Sequence, residues 1–315
     1  MTRRLRIRSL AKINLDLRVL HKRPDGFHEL RTMYQTISLS DTLEMEYRPG
    51  PTRVDLKSNL NISDNIVVKA ALLTLRATRS TGQVGFVLKK RTPLGAGLGG
   101  GSSNAAAVLL GLPALLAKPL PVPRLAELAA ELGSDVPFFL LGGTAVGLGR
   151  GVEIYPLPDF KNSPMLLITP GIHSSTGEAY AALKRKPKDE IADSNLNDFQ
   201  WVTWQASNKF QNDFEAVVFR QHPQLKSIKG KLLEFGACPA LMSGSGSSVF
   251  GIFENRPARD RAERWFRKEF AENQVHRVSM VGRRRYQALW RRQLAGYATS
   301  NLGSASWPPQ DRYAQ

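Results

Sequence analysis

Apolar and polar positions alternate from Leu5 to Val19, through Ile7, Leu10, Ile13, Leu15 and Leu17, and this period of two predicts a strand or a hairpin over residues 5–20. Lys12 and Asn14 interrupt it two positions apart and therefore share one face. By themselves they read as the solvated side of a strand. Arg23-Pro24-Asp25-Gly26 stops the pattern with a turn, and Met33–Leu39 and Leu43–Tyr47 return as further strands around Ser40-Asp41. From Asn65 to Thr78 the apolar spacing becomes helical, with Ser63 or Asp64 placed to cap it. Val84–Leu88 is strand-like, Ala105–Leu116 helical, and a second helix follows the prolines 119, 121 and 123 over Arg124–Leu132. Phe138–Leu148 reads as strand, with Gly142-Gly143 a tight turn.

Pro156–Pro164 is proline-rich and polar, which places a domain junction there: residues 1–160, residues 164–294, and a Gly/Ser/Pro/Gln tail over 295–315. The second segment opens on the apolar run Met165–Ile168. A charged, loop-like stretch follows (Lys184–Asp198), then helices over Asn212–Gln221 and Pro223–Gly236 and a strand over Val249–Phe253. Strands and helices mix without a strict βαβ beat and without internal repeats. That argues for an α+β fold of two lobes.

Between the Val84–Leu88 strand and the helix behind it lies Pro93-Leu94-Gly95-Ala96-Gly97-Leu98-Gly99-Gly100-Gly101-Ser102-Ser103-Asn104, with five glycines in seven positions. Glycine loses the most backbone entropy on ordering and buries no side chain, so the run is neither helix nor packed strand. It does let backbone N–H groups approach an anion closely, at the positive end of the following helix. Gly95, Gly97 and Gly100 satisfy the dinucleotide fingerprint, but no acid occurs from Gly101 to Ala126 to hold a ribose. The P-loop needs a lysine after its last glycine, and Ser102 stands there instead. A flexible linker fits poorly, because the run is short and flanked by apolar segments. A phosphate cradle of another kind remains.

Composition narrows the setting. A hydrophobic content of 42% with 23% charged residues is ordinary for a globular chain of 315 residues. Cys238 is the only cysteine and sits in an apolar context, so it reads as a buried, inert thiol. There is no signal-peptide core and no long apolar run, which points to the reducing cytoplasm and to no membrane partner. The net charge of +17 raises the possibility of nucleic acid. Residues 256–292 carry twelve Arg/Lys against four acids, without interleaved aromatics for stacking, so a solvated basic face is the plainer reading. A field that attracts polyphosphate substrates fits both charge and glycine loop.

Three further places carry polar groups that local pattern does not require. Asp135 is wedged into Leu132-Gly133-Ser134-Asp135-Val136-Pro137-Phe138-Phe139, either as a helix-end cap or as a buried acid. His28 follows the Asp25-Gly26-Phe27 turn, with Tyr34 six residues on, and is either structural or ligand-binding. Ser243-Gly244-Ser245-Gly246 is a second glycine-poised loop or a plain turn. Phosphoryl transfer to a hydroxyl would use all of these parts. It needs a cradle for the donor phosphates, positive charge, and a carboxylate to take the hydroxyl proton. A lysine such as Lys12 beside Asp135 would keep that carboxylate ionised.

Pro93–Asn104 resembles the central ATP loop of the small-molecule kinases grouped as galactokinase, homoserine kinase, mevalonate kinase and phosphomevalonate kinase. Ala11-Lys12-Ile13-Asn14-Leu15 resembles their first motif and Met242-Ser243-Gly244-Ser245-Gly246 their third, in the same order, over roughly residues 5–292. Within the group, Arg23–Leu30, Gly133–Phe139 and the full form of Gly95–Ala106 are similar to members that phosphorylate a cytidine-diphosphate-linked methylerythritol at its C2 hydroxyl. Homoserine kinase is the rival inside the group, and a basic nucleic-acid-binding protein the rival outside it. The resemblance implies a two-lobed fold with the active site in the cleft, ATP as co-substrate, and Mg2+ held mainly through its phosphates, without certain protein ligands. It implies Asp135 as base with Lys12 as partner, and Asn65, Pro93, Gly95, Ala96, Gly97, Leu98, Gly99, Gly100, Gly101, Ser102 and Ser103 around ATP. On the acceptor side it implies Asn14, Phe27, His28, Tyr34, Tyr180, Ser243, Gly244 and Ser245, with His28 on the cytosine edge and the two tyrosines on its faces. Phe27 stands where relatives often have tyrosine, so a hydroxyl contact is lost there. A monomer or weak homodimer is expected.

Overall fold

A computed structural model describes residues 2–60, 62–183, 210–271 and 274–297. The charged stretch expected over Lys184–Asp198 and the tail beyond residue 297 lie outside them. Two long antiparallel strands, β1 (Arg3–Lys22) and β2 (His28–Arg48), carry the molecule. Their turn closes as expected from Arg23-Pro24-Asp25-Gly26, with Arg23 N donating to Phe27 O at 2.8 Å and Phe27 N to Asp25 Oδ1 at 3.1 Å. β4 (Gln83–Lys89) pairs with the far half of β2 and β5 (Thr144–Gly149) with its near half. β3 (Arg53–Ser58) adds in parallel to β4, and β6 (Glu153–Pro156) antiparallel to β5. Ser40-Asp41 does not break β2, contrary to the expectation from sequence, because the Asp41 carboxylate has buried partners and sits in register opposite Ser9.

Three helices cover one face of this sheet: α1 (Ile66–Ala77), α2 (Gly100–Leu116) and α3 (Val122–Leu132). Asn65, rather than Ser63 or Asp64, caps α1, its side chain accepting from Val67 N. Asp64 has φ +50° and cannot take the extended backbone of a cap, whereas Asn65 does (φ −60°, ψ 126°). The strand expected from Phe138 instead begins as one helical turn, α4 (Phe138–Leu141), and becomes β5 only after Gly142-Gly143. A helical turn lets Phe138 and Phe139 both point into the core, which strand alternation would forbid.

The second sheet is antiparallel in the order β10 (Val275–Val278), β7 (Met165–Ile168), β9 (Val249–Phe253), β8 (Ala237–Met242). Around it lie α5 (Thr176–Leu183), α6 (Glu215–Gln221), α7 (Pro223–Glu234) and α8 (Arg256–Glu269). Cys238, expected to be buried, is exposed on β8, an edge strand whose register slips between Ala237 and Ala240. The last helix, α9 (Arg283–Leu294), returns to the first lobe: Tyr286 and Trp290 enter its core and Tyr286 Oη donates to Phe139 O. A third apolar cluster joins the sheets, with Ile13, Leu15, Met33 and Ile37 facing Leu167, Leu241 and Phe250. The middle of β1 is therefore buried on both faces, and Lys12, Asn14 and Asp16 need partners there.

The basic face between 256 and 292 is only partly solvated. Arg267 and Arg277 both bind the buried Glu263. Arg283 is partly buried, donating to Thr144 O and Leu157 O.

Candidate active site

The residues around Lys12 line a cavity of about 740 Å³ between the lobes. Its walls come from β1 (Lys12, Asn14), the β1–β2 turn (Phe27, His28), the glycine loop (Gly95, Gly97, Gly99, Ser102), Ser134-Asp135, α5 (Thr176, Tyr180), and Gly244-Ser245. Each motif singled out in the sequence contributes residues to this one space, but Pro93 faces a neighbouring groove. Asn65, which caps α1, does not line it, nor do Ala96, Leu98, Gly100, Gly101, Ser103 and Ser243.

Lys12 is 3% exposed. Its ammonium donates to Asn14 Oδ1 at 2.7 Å and lies 3.3 Å from Asp135 Oδ2. A buried ammonium survives only with such partners. Tyr34 Oη donates to the other carboxylate oxygen, Asp135 Oδ1, at 3.0 Å. Burial, reinforced by the Asp135 charge, pushes the Tyr34 phenol well above its ordinary value of 10, so it stays protonated and remains a donor. Asp135 itself is half-buried at the loop after α3 and open to the cavity. The alternative reading of Asp135 as a helix cap fails, since Gly133 closes α3. A carboxylate so placed is oriented from two sides and accessible.

The glycine loop earns its glycines by close approach. Gly95, Gly97 and Gly99 have φ of +61°, +73° and +62°, and a Cβ on Gly97 would lie 1.9 Å from Ser243 O. The loop is tied at three points: Lys12 N donates to Leu98 O, Ser248 N to Ala96 O, and Ser243 Oγ to Gly97 O. Ser243 Oγ also accepts from Asn14 N at 3.3 Å. Asn14 Nδ2 donates to Thr32 Oγ1. Ala96 and Leu98 bury their side chains between the sheets, so that from Gly95 to Gly101 only backbone is left to the loop surface. Ser103, expected among the phosphate ligands, donates its hydroxyl to Leu10 O and its N–H to Gly99 O, so it anchors α2 to β1. Ser102 faces the cavity. Ser245 Oγ shares a hydrogen bond with Thr176 Oγ1.

At the far end His28 stacks on Tyr180, with ring centroids 4.9 Å apart and 17° between planes. Tyr180 also meets Phe214 edge-on. Tyr34 does not offer the free face that the resemblance implies. It is buried against Phe138 and beneath the Lys12 ammonium. Phe27 is half-exposed, and the Arg150 guanidinium lies 3.6 Å from its ring centre. Arg150 also lines the cavity and was not found from sequence. It sits in a turn between two short strands, and only the fold brings it opposite Phe27.

Residues 65–143 match the model of the GHMP kinases N terminal domain and residues 192–272 that of the GHMP kinases C terminal. A 4-diphosphocytidyl-2-C-methyl-D-erythritol kinase from Solibacter usitatus is 50% identical, covering 99% of this chain and 98% of its own. The protein of the same name from Syntrophus aciditrophicus is 40% identical over 82% of this chain and 93% of its own. Among solved structures, a 4-(cytidine 5'-diphospho)-2C-methyl-D-erythritol kinase superposes with a TM-score of 0.74 at 34% identity, covering 88% of this chain and all of its own. Homoserine kinase from Cytophaga hutchinsonii superposes with a TM-score of 0.65 at 20% identity, covering 89% of this chain and 95% of its own, a likeness of fold alone.

Proposed function

The chain belongs to the 4-diphosphocytidyl-2-C-methyl-D-erythritol kinases of the GHMP kinase family, and we propose that its cavity transfers the γ-phosphoryl group of ATP to the C2 hydroxyl of that substrate. The observation that carries this reading is the Lys12–Asp135 pair sharing one cavity with the glycine loop and the His28–Tyr180 stack. Asp135 Oδ2 accepts the hydroxyl proton while the substrate oxygen attacks phosphorus and the bond to the ADP oxygen breaks. Lys12 and the Tyr34 hydroxyl hold the carboxylate in place, and Lys12 adds positive charge where the phosphoryl group passes. The backbone of Gly95–Ser102 and the N-terminus of α2 cradle the donor phosphates.

His28, Tyr180 and Phe27 form the aromatic end suited to a nucleobase, with Arg150 beside it. A cytosine there either displaces His28 from Tyr180 or lies against its outer face. Mg2+ suits the hard oxygen donors in the cavity, the Ser102 and Ser134 hydroxyls and the Asp135 carboxylate. When bound it neutralises charge on the phosphates. No helix among the described residues is long and apolar enough to cross a membrane. We assign the enzyme to the cytoplasm.

ATP consumption with the cytidine-diphosphate-linked methylerythritol, beside homoserine and mevalonate, tests the reading. Turnover confined to the first compound is expected. Equal turnover of homoserine would overturn it.

A further inference from the structure

The glycine loop lacks the lysine of a P-loop, yet an ammonium reaches the start of its helix from behind. β4 ends at Lys89, and Lys90, Arg91 and Thr92 carry the chain into the loop. The Lys90 side chain is 2% exposed and pairs with Asp41, which is fully buried. A Cβ on Gly100, the first residue of α2, would lie 2.9 Å from Lys90 Nζ. Neither member of the pair lines the cavity that holds Lys12 and Asp135.

Taking two charges out of water is costly, and such a pair persists only when its remaining hydrogen bonds are made. Here they are. Asp41 Oδ2 accepts from Lys90 Nζ and from Asn104 Nδ2, the latter at 3.1 Å. Asp41 Oδ1 accepts from Arg91 N and Thr92 N, both at 2.8 Å. Asn104 Oδ1 accepts from Lys90 Nζ at 3.1 Å, and Asn104 Nδ2 reaches Ser9 Oγ at 2.6 Å. Asp41 thus grips the chain entering the loop, while Asn104 holds the helix leaving it. Apolar side chains could fill the same volume with no desolvation cost. What the ion pair adds is direction, with its cationic end against the N-terminus of α2.

We propose that Asp41, Lys90 and Asn104 are positioning residues for the donor nucleotide. They set the two ends of the glycine loop relative to each other, and they add the field of an oriented ion pair to that of the helix at the phosphate site. The proposal rests on the reading of this loop as the ATP cradle.

Lys90→Met keeps the side chain out to its ε position and removes the charge. Calorimetric titration with ADP, melting temperature, and Michaelis constants for both substrates are measured for it, for the milder Asn104→Ser, and for Leu128→Ala, a core change in α3. Lys90→Met is expected to weaken ADP binding and raise the ATP constant by about tenfold, within the range of a charge at a helix terminus. The constant for the cytidine substrate stays within about twofold on the same scale. Asn104→Ser shifts ADP affinity in the same direction by less, and reads the effect even where Lys90→Met fails to fold. Leu128→Ala lowers the melting temperature without moving ADP affinity. Wild-type ADP affinity in the lysine and asparagine variants, or a parallel rise of both Michaelis constants, would overturn the proposal. A wild-type protein that binds no ADP would overturn the nucleotide reading beneath it.

Discussion

At the scale of single residues, function turns on a few polar groups in apolar surroundings. Asp135 is proposed as the group that takes the proton, so Asp135→Asn is expected to lower kcat by about 10²- to 10⁴-fold, the range of general-base catalysis, and to lower the melting temperature because the buried Lys12 ammonium loses its counter-charge. Steady-state assay and thermal melting check both halves of that expectation. His28→Ala removes half of the stack on Tyr180. It is expected to raise the Michaelis constant for the cytidine substrate and leave that for ATP alone, and an unaltered value would mean that the nucleobase sits elsewhere. Asp16 gives a pH prediction. Burial raises its carboxyl above the ordinary 3.8, against the lowering pull of the Gln211 N–H and Arg18. The native state then binds this proton more tightly than the unfolded chain, so the contribution to stability is full below 3.8 and is lost as pH rises through the higher native value. Wild-type stability relative to Asp16→Asn is therefore expected to increase as the pH falls from about 7 to about 4, read as the difference between the two melting temperatures.

At the scale of elements, the glycine loop and the Ser243–Ser248 turn constrain each other. Gly97→Ala would place a methyl group on Ser243 O in left-handed backbone. Loss of ATP turnover and a lower melting temperature together are expected, whereas full activity would show that the two loops part without cost. The elements legible in sequence were those with a local cause. The Arg23–Gly26 turn, the α1 helix, the body of α2 from Ala105 and the Val249–Phe253 strand follow from turn chemistry and apolar period. However, α2 already begins at Gly100, inside the glycine run expected to be neither helix nor strand, because Ser103 donates to Leu10 O and Gly99 O and holds that first turn. The misread ones depended on distant partners. Asp41 stays within a strand because Lys90 and Asn104 reach it from other elements. Phe138-Phe139 coils because both rings have core to enter, and a short apolar run does not distinguish that from a strand. Cys238 is exposed because its strand lies at a sheet edge, which local composition does not record.

At the scale of the molecule, the two lobes share structure across the cleft. β1 supplies Leu5 and Ile7 to one core and Leu17 and Val19 to the other, and α9 returns Tyr286 and Trp290 to the first. Trp290→Ala is expected to cost about 3–5 kcal/mol, the range for truncating a large buried aromatic. Urea unfolding followed from the first lobe would reveal the loss, although α9 lies more than a hundred residues downstream of that lobe's last strand. The charge of +17 is no guide to this architecture, since part of the basic run is absorbed by Glu263 and by backbone carbonyls. The sequence by itself determined the family, the glycine-rich loop and most of the polar groups gathered in the cleft, because glycine content, helical period and motif order are local properties of the chain. Only the tertiary structure decided which of them meet. Lys12, Asp135 and Tyr34 are brought within hydrogen-bond reach by the pairing of β1 with β2 and the packing of α3 and α4. Ser103 is diverted to an anchor, and Lys90 is placed behind the loop that lacks its own lysine. Burial and partnership are set by what comes from far along the chain, and no local pattern encodes them.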